Sequence, residues 1–187
     1  MYLSLYLWDF NDQAYGDRIM EQTHPVLRPA VEADLARITE IYNQAIRTRR
    51  ATGHMVPFTM EQRRAWFRSF EKNDRCLEVV ILKGRVAGYA HCTPWREGRQ
   101  AMLKTAEVSF FIDEQYRRMG LGSRLLERMI LRAQDMGKDH LLAILLDINV
   151  ASVALLEKFG FERWGHFPGI IDFDEKRCGQ YVYGRKI

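Results

Sequence analysis

The sequence predicts an α/β (mixed α+β) protein, a mixed sheet with helices on its faces. Three observations carry this. Segments of strand-like and helix-like periodicity follow one another along the chain in the order β-α-α-β-β-β-α-β-α-β-β. Leu141–Leu146 is a run of six apolar residues between His140 and Asp147, as expected of a central strand buried on both faces. A glycine-bearing bend, Met119-Gly120-Leu121-Gly122, joins a strand directly to an amphipathic helix.

Residues 1–24 lack this patterning and read as an N-terminal extension to a domain of residues 25–187. Met20 is an alternative start. The extension is either a tail or an aromatic arm (Tyr2, Tyr6, Trp8, Phe10) that packs on a neighbouring subunit.

Val26-Leu27-Arg28 forms a short strand, and Asp34 stands where a helix carrying Leu35, Ile38, Tyr42, Ala45 and Ile46 begins. Thr48–Phe58 contains Gly53 and Pro57 and is a loop. Thr59-Met-Glu-Gln62 matches a capping box, opening a helix through Ala65, Trp66, Phe67 and Phe70. Cys76–Leu82 and Arg85–Cys92 form a hairpin about Lys83-Gly84. Pro94–Gln100 is a polar, arginine-rich loop before the strand Lys104–Ile112. The helix from Met119 or Gly120 to Met136 buries Leu121, Leu125, Met129, Ile130 and Ala133, with Arg124, Arg128 and Arg132 on a solvated face, and Gly137 ends it. Asn149–Phe159 is a short helix stopped by Gly160, and Phe161–Phe167 and Gln180–Arg185 close the sheet.

At 187 residues the chain suits one domain. With 47% hydrophobic and 28% charged residues it can build a core, which excludes wholesale disorder. The net charge of +4 suits a small anionic ligand, and without a concentrated basic patch no nucleic-acid partner is expected. The longest apolar run falls far short of the roughly 20 residues that cross a membrane, so no membrane partner is expected either. Cys76, Cys92 and Cys178 are odd in number and widely spaced, which predicts free thiols in a reducing cytoplasm. The five histidines have no metal-ligand spacing with one another or with the cysteines, and no catalytic metal is expected.

Arg117-Arg118-Met119-Gly120-Leu121-Gly122-Ser123 carries the chemistry. The first N–H groups of a helix have no internal partner, and the helix dipole favours an anion there. Gly120 and Gly122 lack a Cβ and let a phosphate approach the backbone, Arg117 and Arg118 add charge, and Ser123 adds a hydroxyl. A Gly-x-Gly before a helix is often only a tight turn. No Gly-Lys-Ser/Thr follows, so this is not a P-loop, and the third glycine of a dinucleotide fingerprint is absent.

Arg117-x-x-Gly120-x-Gly122 resembles the acetyl-CoA pyrophosphate motif of the GCN5-related N-acetyltransferases (GNAT). Asn149-Val-Ala-Ser152-Val-Ala-Leu155-Leu-Glu-Lys158-Phe-Gly160-Phe161 is similar to the helix and turn that follow in that family. Pro94-Trp95-Arg96-x-x-Arg99 with Thr105-Ala-Glu107-Val-Ser109 resembles the phosphinothricin N-acetyltransferase branch. The resemblance covers residues 25–187. It implies a GNAT-like fold with a central twisted, mixed, mostly antiparallel sheet flanked by helices on both faces.

The resemblance also implies an enzyme that transfers an acetyl group from acetyl-CoA to the amine of a small amino acid or analogue, such as phosphinothricin or methionine sulfoximine. Phe110-Phe111-Ile112 would splay from Leu141–Leu146 and pair with the pantetheine arm. Arg117, Arg118, Met119, Gly120, Leu121, Gly122 and Ser123 would hold the pyrophosphate, and Asn149 and Ser152 would complete the cofactor site. Glu107 would be the general base, and Arg96 and Arg99 would bind the substrate's acid group. The branch implies a homodimer, to which the aromatic arm, Tyr181 and Tyr183 could contribute.

An α-amine, with a reference pKa of about 7.7–8.0, is roughly a tenth or more neutral at pH 7, whereas a lysine amine is neutral at well under about a thousandth. An α-amine therefore asks less of the base. A backbone N–H in Phe110–Ile112 is the natural oxyanion donor. Attack is expected to be direct, because adjacent strand residues such as His91 and Cys92 point to opposite faces and make a poor nucleophile pair.

Two positions depart from the family. Leu156 stands where relatives have Tyr or His to protonate the leaving thiolate, and Met102 where the branch often has a substrate-contacting Tyr. A peptide N-terminal acetyltransferase and a non-catalytic CoA-binding module are the alternatives. Glu107 also reads as a cross-strand ion-pair partner, Arg96 and Arg99 as solvated loop charges, and Asn149 as a helix cap.

Overall fold

The computed structural model describes residues 24–174 and 176–187. The N-terminal extension, with its aromatic arm and Met20, lies outside the described residues except for His24.

Among the described residues seven strands and four α-helices follow one another in the expected order. They are β1 (Val26–Pro29), α1 (Leu35–Thr48), α2 (Met60–Arg68), β2 (Cys76–Leu82), β3 (Arg85–Pro94), β4 (Thr105–Ile112), α3 (Leu121–Asp135), β5 (His140–Leu146), α4 (Val150–Lys158), β6 (Glu162–Asp172) and β7 (Arg177–Lys186). They form one sheet in the order β1-β2-β3-β4-β5-β7-β6. Every neighbouring pair is antiparallel except β4–β5, which is parallel.

Strand register sorts the side chains onto two faces. On one face Leu125, Leu126 and Met129 of α3 pack on Val80, Ala90, Cys92, Ala106, Val108, Leu141 and Ala143, and Leu156 of α4 joins them. On the other, Ile38, Ile41, Tyr42 and Ile46 of α1 pack on Leu77, Val79, Val86 and Tyr89, with Trp66, Phe67 and Phe70 from the α2 region. The α2 start is the expected capping box, with Thr59 and Gln62 bonded reciprocally.

Asp34 stands at the start of α1 as the sequence implied, but its carboxylate does not bond that helix's own N–H groups. A 3-10 turn, Glu32–Asp34, comes first, and the Asp34 carboxylate accepts from Arg28 at 2.6 and 2.9 Å and from the Val31 N–H at 2.9 Å. Arg128 and Arg132 do not lie on a solvated face. They reach from the flank of α3 to the fully buried carboxylate of Glu78 on β2, with Nε–O distances of 3.1 and 3.2 Å. A carboxylate taken out of water needs paired cations, and the arginine stems are long enough to bring them. Arg124 alone stays exposed. Tyr183 is buried and donates to Glu157 at 2.9 Å, and Tyr181 packs beside it. Packing in the core beside Leu156 and Glu157 of α4 leaves Tyr183 little surface to offer a second subunit.

Candidate active site

β4 and β5 pair only over Thr105–His140, Ala106–Leu141 and Glu107–Leu142. Beyond Glu107 the strands part, while β4 stays paired with β3 as far as Gly88–Ile112. Gly88 permits this: a Cβ there would lie 2.7 Å from Ile112 Cδ1 and 2.9 Å from the Phe111 carbonyl oxygen. A bulge between Val80 and Ile81 adds local bend. The far end of β4 is fastened as well. Asp113 donates its N–H to Ala87 O at 3.0 Å, and its buried carboxylate accepts from Arg37, from Gln44 at 2.8 Å and from the Gln115 N–H at 2.8 Å. The distal half of β4 is thus held to β3 and α1 and away from β5.

The resulting cleft holds about 1080 Å³. Phe110, Phe111 and Ile112 line one wall, Ala143, Ile144 and Leu145 the other, and α4 contributes Ser152 and Leu156. Every second residue of the free β4 edge turns its N–H and C=O into the gap. That edge can bind an amide-bearing chain as an added strand.

Arg117, Arg118, Gly120, Leu121, Gly122 and Ser123 close one end. Arg118 (φ 62°) and Gly120 (φ 76°) take left-handed conformations that turn the chain from β4 into α3. No side chain caps α3 and its first turn carries no acid, so the leading N–H groups are left for an anion. The glycines serve different ends. Gly120 supplies the positive φ, with nothing within 4 Å of a Cβ placed there. At Gly122 a Cβ would lie 3.0 Å from Leu155 Cδ2, so this glycine also lets α4 lie close to α3. Met119 is half exposed and stands outside the cleft lining.

Asn149 lines the cleft and caps α4, its Oδ1 accepting from the Ser152 N–H at 3.3 Å. Its amide NH2 has no acceptor among the described residues. Glu107 sits where the strands part and on the sheet face covered by α1 and α2. It has no hydrogen bond or ion pair among the described residues, so the cross-strand pairing is not present, and burial raises its carboxyl above the usual carboxylate range. A carboxylate shifted toward neutrality is a stronger base.

Arg96 and Arg99 are exposed on the segment after β3, outside the cleft lining and without a carboxylate partner among the described residues. Glu97 between them pairs with Lys72 at 2.9 Å and Arg75 at 3.0 Å, which fixes the segment at the Glu107 end of the sheet. Cys92 and His91 lie on opposite faces as expected: Cys92 packs on Met129, and burial holds His91 neutral, its pKa lowered to about 3. Among the described residues no three His, Cys, Asp or Glu side chains gather as metal ligands, and no helix is long and apolar enough to cross a membrane.

Sequence reasoning missed Tyr116, Arg50 and Ser109, which also line the cleft. The odd-numbered parity of Glu107 and Phe111 would have placed Ser109 on their face. No local pattern marks the other two.

The sequence profile of the acetyltransferase (GNAT) family matches residues 36–161. YwnH of Bacillus subtilis, whose name assigns it provisionally as a phosphinothricin acetyltransferase, is 37% identical over 161 residues, spanning 86% of this chain and 98% of its own. An L-methionine sulfoximine/L-methionine sulfone acetyltransferase of Pseudomonas aeruginosa is 33% identical over 145 residues, 77% of this chain and 84% of its own. The crystal structure of a GNAT superfamily phosphinothricin acetyltransferase from Sinorhizobium meliloti in complex with AcCoA superposes with a TM-score of 0.83 at 27% identity. That superposition covers 87% of this chain and 88% of the other.

Proposed function

The chain belongs to the acetyltransferase (GNAT) family and is an acetyl-CoA-dependent N-acetyltransferase, and we propose that its acceptor is the α-amino group of a small amino acid or analogue of the phosphinothricin or methionine sulfoximine kind. The observation that carries this reading is the juxtaposition of an uncapped α3 N-terminus, a free β4 edge and, where that edge begins, the half-buried Glu107 with no partner among the described residues.

Acetyl-CoA supplies an activated acyl thioester when bound. Main-chain N–H groups of Arg118–Ser123 take its pyrophosphate, with Arg117 and Arg118 adding charge. The β4 edge at Phe110–Ile112 pairs with the pantetheine amides, and Asn149 donates to the arm near its thioester end. Glu107 removes the proton of the attacking amine, directly or through a water, and a fixed N–H of the same edge receives the charge that develops on the acyl oxygen. Leu156 is buried and has no proton to give, so the thiolate leaves unassisted by that position. Exposed Arg96 and Arg99 draw an acidic acceptor toward the Glu107 end.

An amino-acid panel with acetyl-CoA, read by thiol release, tests the reading. Turnover with free amino acids or their sulfoximine, sulfone or phosphinate analogues is expected. Turnover confined to peptides would overturn it, as would binding of acetyl-CoA with no acceptor consumed.

The reading extends to a cytoplasmic homodimer. The edge strand β6 exposes Trp164, Phe167 and Ile170, an apolar row that a second copy would cover. Light scattering after size exclusion at micromolar concentration checks this, and a monomer would remove it.

A further inference from the structure

β4 and β5 separate after the Glu107–Leu142 rung, so Val108 and Ala143 are the first residues on either side of the opening. Strand alternation puts both on the sheet face covered by α3 and α4, where they join the same buried cluster as Leu156 of α4. Val108, Ala143 and Leu156 also line the cleft. The narrow end of the cleft is therefore bounded on this face by side chains without a polar atom.

Their sizes are unequal. Along β5 this face carries Leu141, Ala143 and Leu145, and the small residue of the row falls where the ladder opens. Ala143 thus fills least of the cleft at that point. Val108 and Leu156 are bulkier and only 2% and 1% exposed. Ala106 and Leu141 continue the same face where the strands are paired, and Leu125 and Leu126 of α3 belong to the same cluster. All of these are fully buried, so beyond Val108 and Leu156 the cleft runs into packed core.

The direction of the donor decides what meets this end. With its pyrophosphate at Arg118–Ser123 and its pantetheine arm along Phe110–Ile112, acetyl-CoA points its thioester toward Val108 and the closed rungs. Glu107 alternates with Ala106 and Val108 and so faces the other side of the sheet, from which the amine comes. The acyl chain is left the apolar end of the cleft.

We propose that Val108, Ala143 and Leu156 form the acyl pocket, and that Leu156 with Val108 is the stop that admits an acetyl group and turns away longer acyl chains. This rests on the donor arm lying along β4 as set out above. A methylene beyond acetyl has to displace side chains that are already close-packed. Leu156 has no proton to give the departing thiolate and serves the same reaction by its shape.

The test uses acetyl-, propionyl- and butyryl-CoA with L-methionine sulfone as acceptor, read by thiol release. Wild type, Leu156→Ala, Leu156→Val and Ala143→Val are compared. The thermal shift given by each thioester and by free CoA is measured on the same proteins without acceptor. Wild-type kcat/KM should fall roughly 10-fold or more with each added methylene. Leu156→Ala removes an isopropyl group and should narrow the acetyl-to-butyryl ratio by about 10-fold or more. Leu156→Val opens less space and should narrow the acetyl-to-propionyl ratio. Each is a ratio within one protein, independent of the fraction folded, and Leu156→Val carries the test if Leu156→Ala does not fold. Ala143→Val fills the pocket instead, and should weaken acetyl-CoA more than free CoA, by about 10-fold.

Wild type that used butyryl-CoA as readily as acetyl-CoA would overturn the proposal. So would donor ratios unchanged by both Leu156 variants, or equal losses of acetyl-CoA and free CoA in Ala143→Val. The thermal shifts separate the pocket from the transfer. If no acceptor were consumed, yet acetyl-CoA stabilised wild type more than butyryl-CoA did and the Leu156 variants reduced that difference, the pocket would stand and the proposed acceptor would fall. If no acceptor were consumed and the two thioesters stabilised wild type equally, the pocket would fall as well.

Discussion

Glu107 and Leu142 form the last rung of the β4–β5 ladder, and the cleft begins at the next residue. The carboxylate of a proposed base therefore stands where the paired β4 becomes an open edge. Strand pairing holds its backbone while its side chain remains unpaired.

Glu107→Gln should lower kcat/KM by about 100-fold or more. It should also remove the acid limb of the pH–rate profile. Burial raises the Glu107 carboxyl, so that limb lies above the usual carboxylate range, and wild-type activity falls as pH drops through it. The same shift has a stability consequence of opposite sense. Between the ordinary and the raised value the folded chain binds more protons than the unfolded one, so stability falls as pH rises through that window. Glu107→Gln should therefore raise Tm at neutral pH and leave it unchanged below the ordinary carboxylate pKa. A lower Tm at pH 7, with an intact pH profile, would remove Glu107 from this role.

Gly122 and Gly120 should fail differently. Gly120→Ala forces a Cβ onto a residue at φ 76°, costing about 1–2 kcal/mol, and should raise KM for acetyl-CoA. Gly122→Ala puts its Cβ against Leu155 Cδ2, so its cost should be recovered in part by Leu155→Ala, whereas that of Gly120→Ala should not. A double-mutant cycle by denaturant unfolding measures the coupling.

Asp113→Ala should be costly in two ways. It strips Arg37, Gln44 and the Gln115 N–H of a buried carboxylate, and breaking such a pair costs about 3–5 kcal/mol. The segment from Glu114 to Gly120 hangs from that anchor, so KM for acetyl-CoA should rise in whatever fraction remains folded. Asp113→Asn, which keeps the shape and part of the bonding, should recover most of the KM. Unchanged KM in both variants would detach the anchor from the cofactor site.

Arg128→Ala and Arg132→Ala each leave Glu78 one cation, and together they leave a buried, unpaired carboxylate. Single losses should be modest, and the double loss should exceed their sum and reach about 3–5 kcal/mol. Adding Glu78→Gln to the double variant should restore most of it. Urea unfolding of the series is the measurement, and simple additivity would contradict the network.

Much of the molecule was legible from local pattern. The hairpin about Lys83-Gly84, the capping box at Thr59 and the strand-to-helix bend at Gly120 each depend on residues within a few positions of one another, and each has the backbone form the sequence implied. What failed to show involved contacts across the chain. Arg128 and Arg132 look solvated on a helical wheel because the wheel contains no Glu78, which is 50 residues away from Arg128. Tyr183 looks available until α4 brings Leu156 and Glu157 against it. Arg63 reads as one more charge on a polar helix until Tyr42, Trp66 and Tyr89 close around it.

The order of elements, the helix–strand alternation and the glycine bend before α3 follow from periodicity and backbone stereochemistry, which act over one or two turns of chain and can be read along it. The point at which β4 leaves β5, the reason Gly122 is a glycine and the surroundings of Arg63 depend on register and packing among distant segments. These are free-energy balances between burial and unpaired polar groups, and they take a value only once every neighbour is in place.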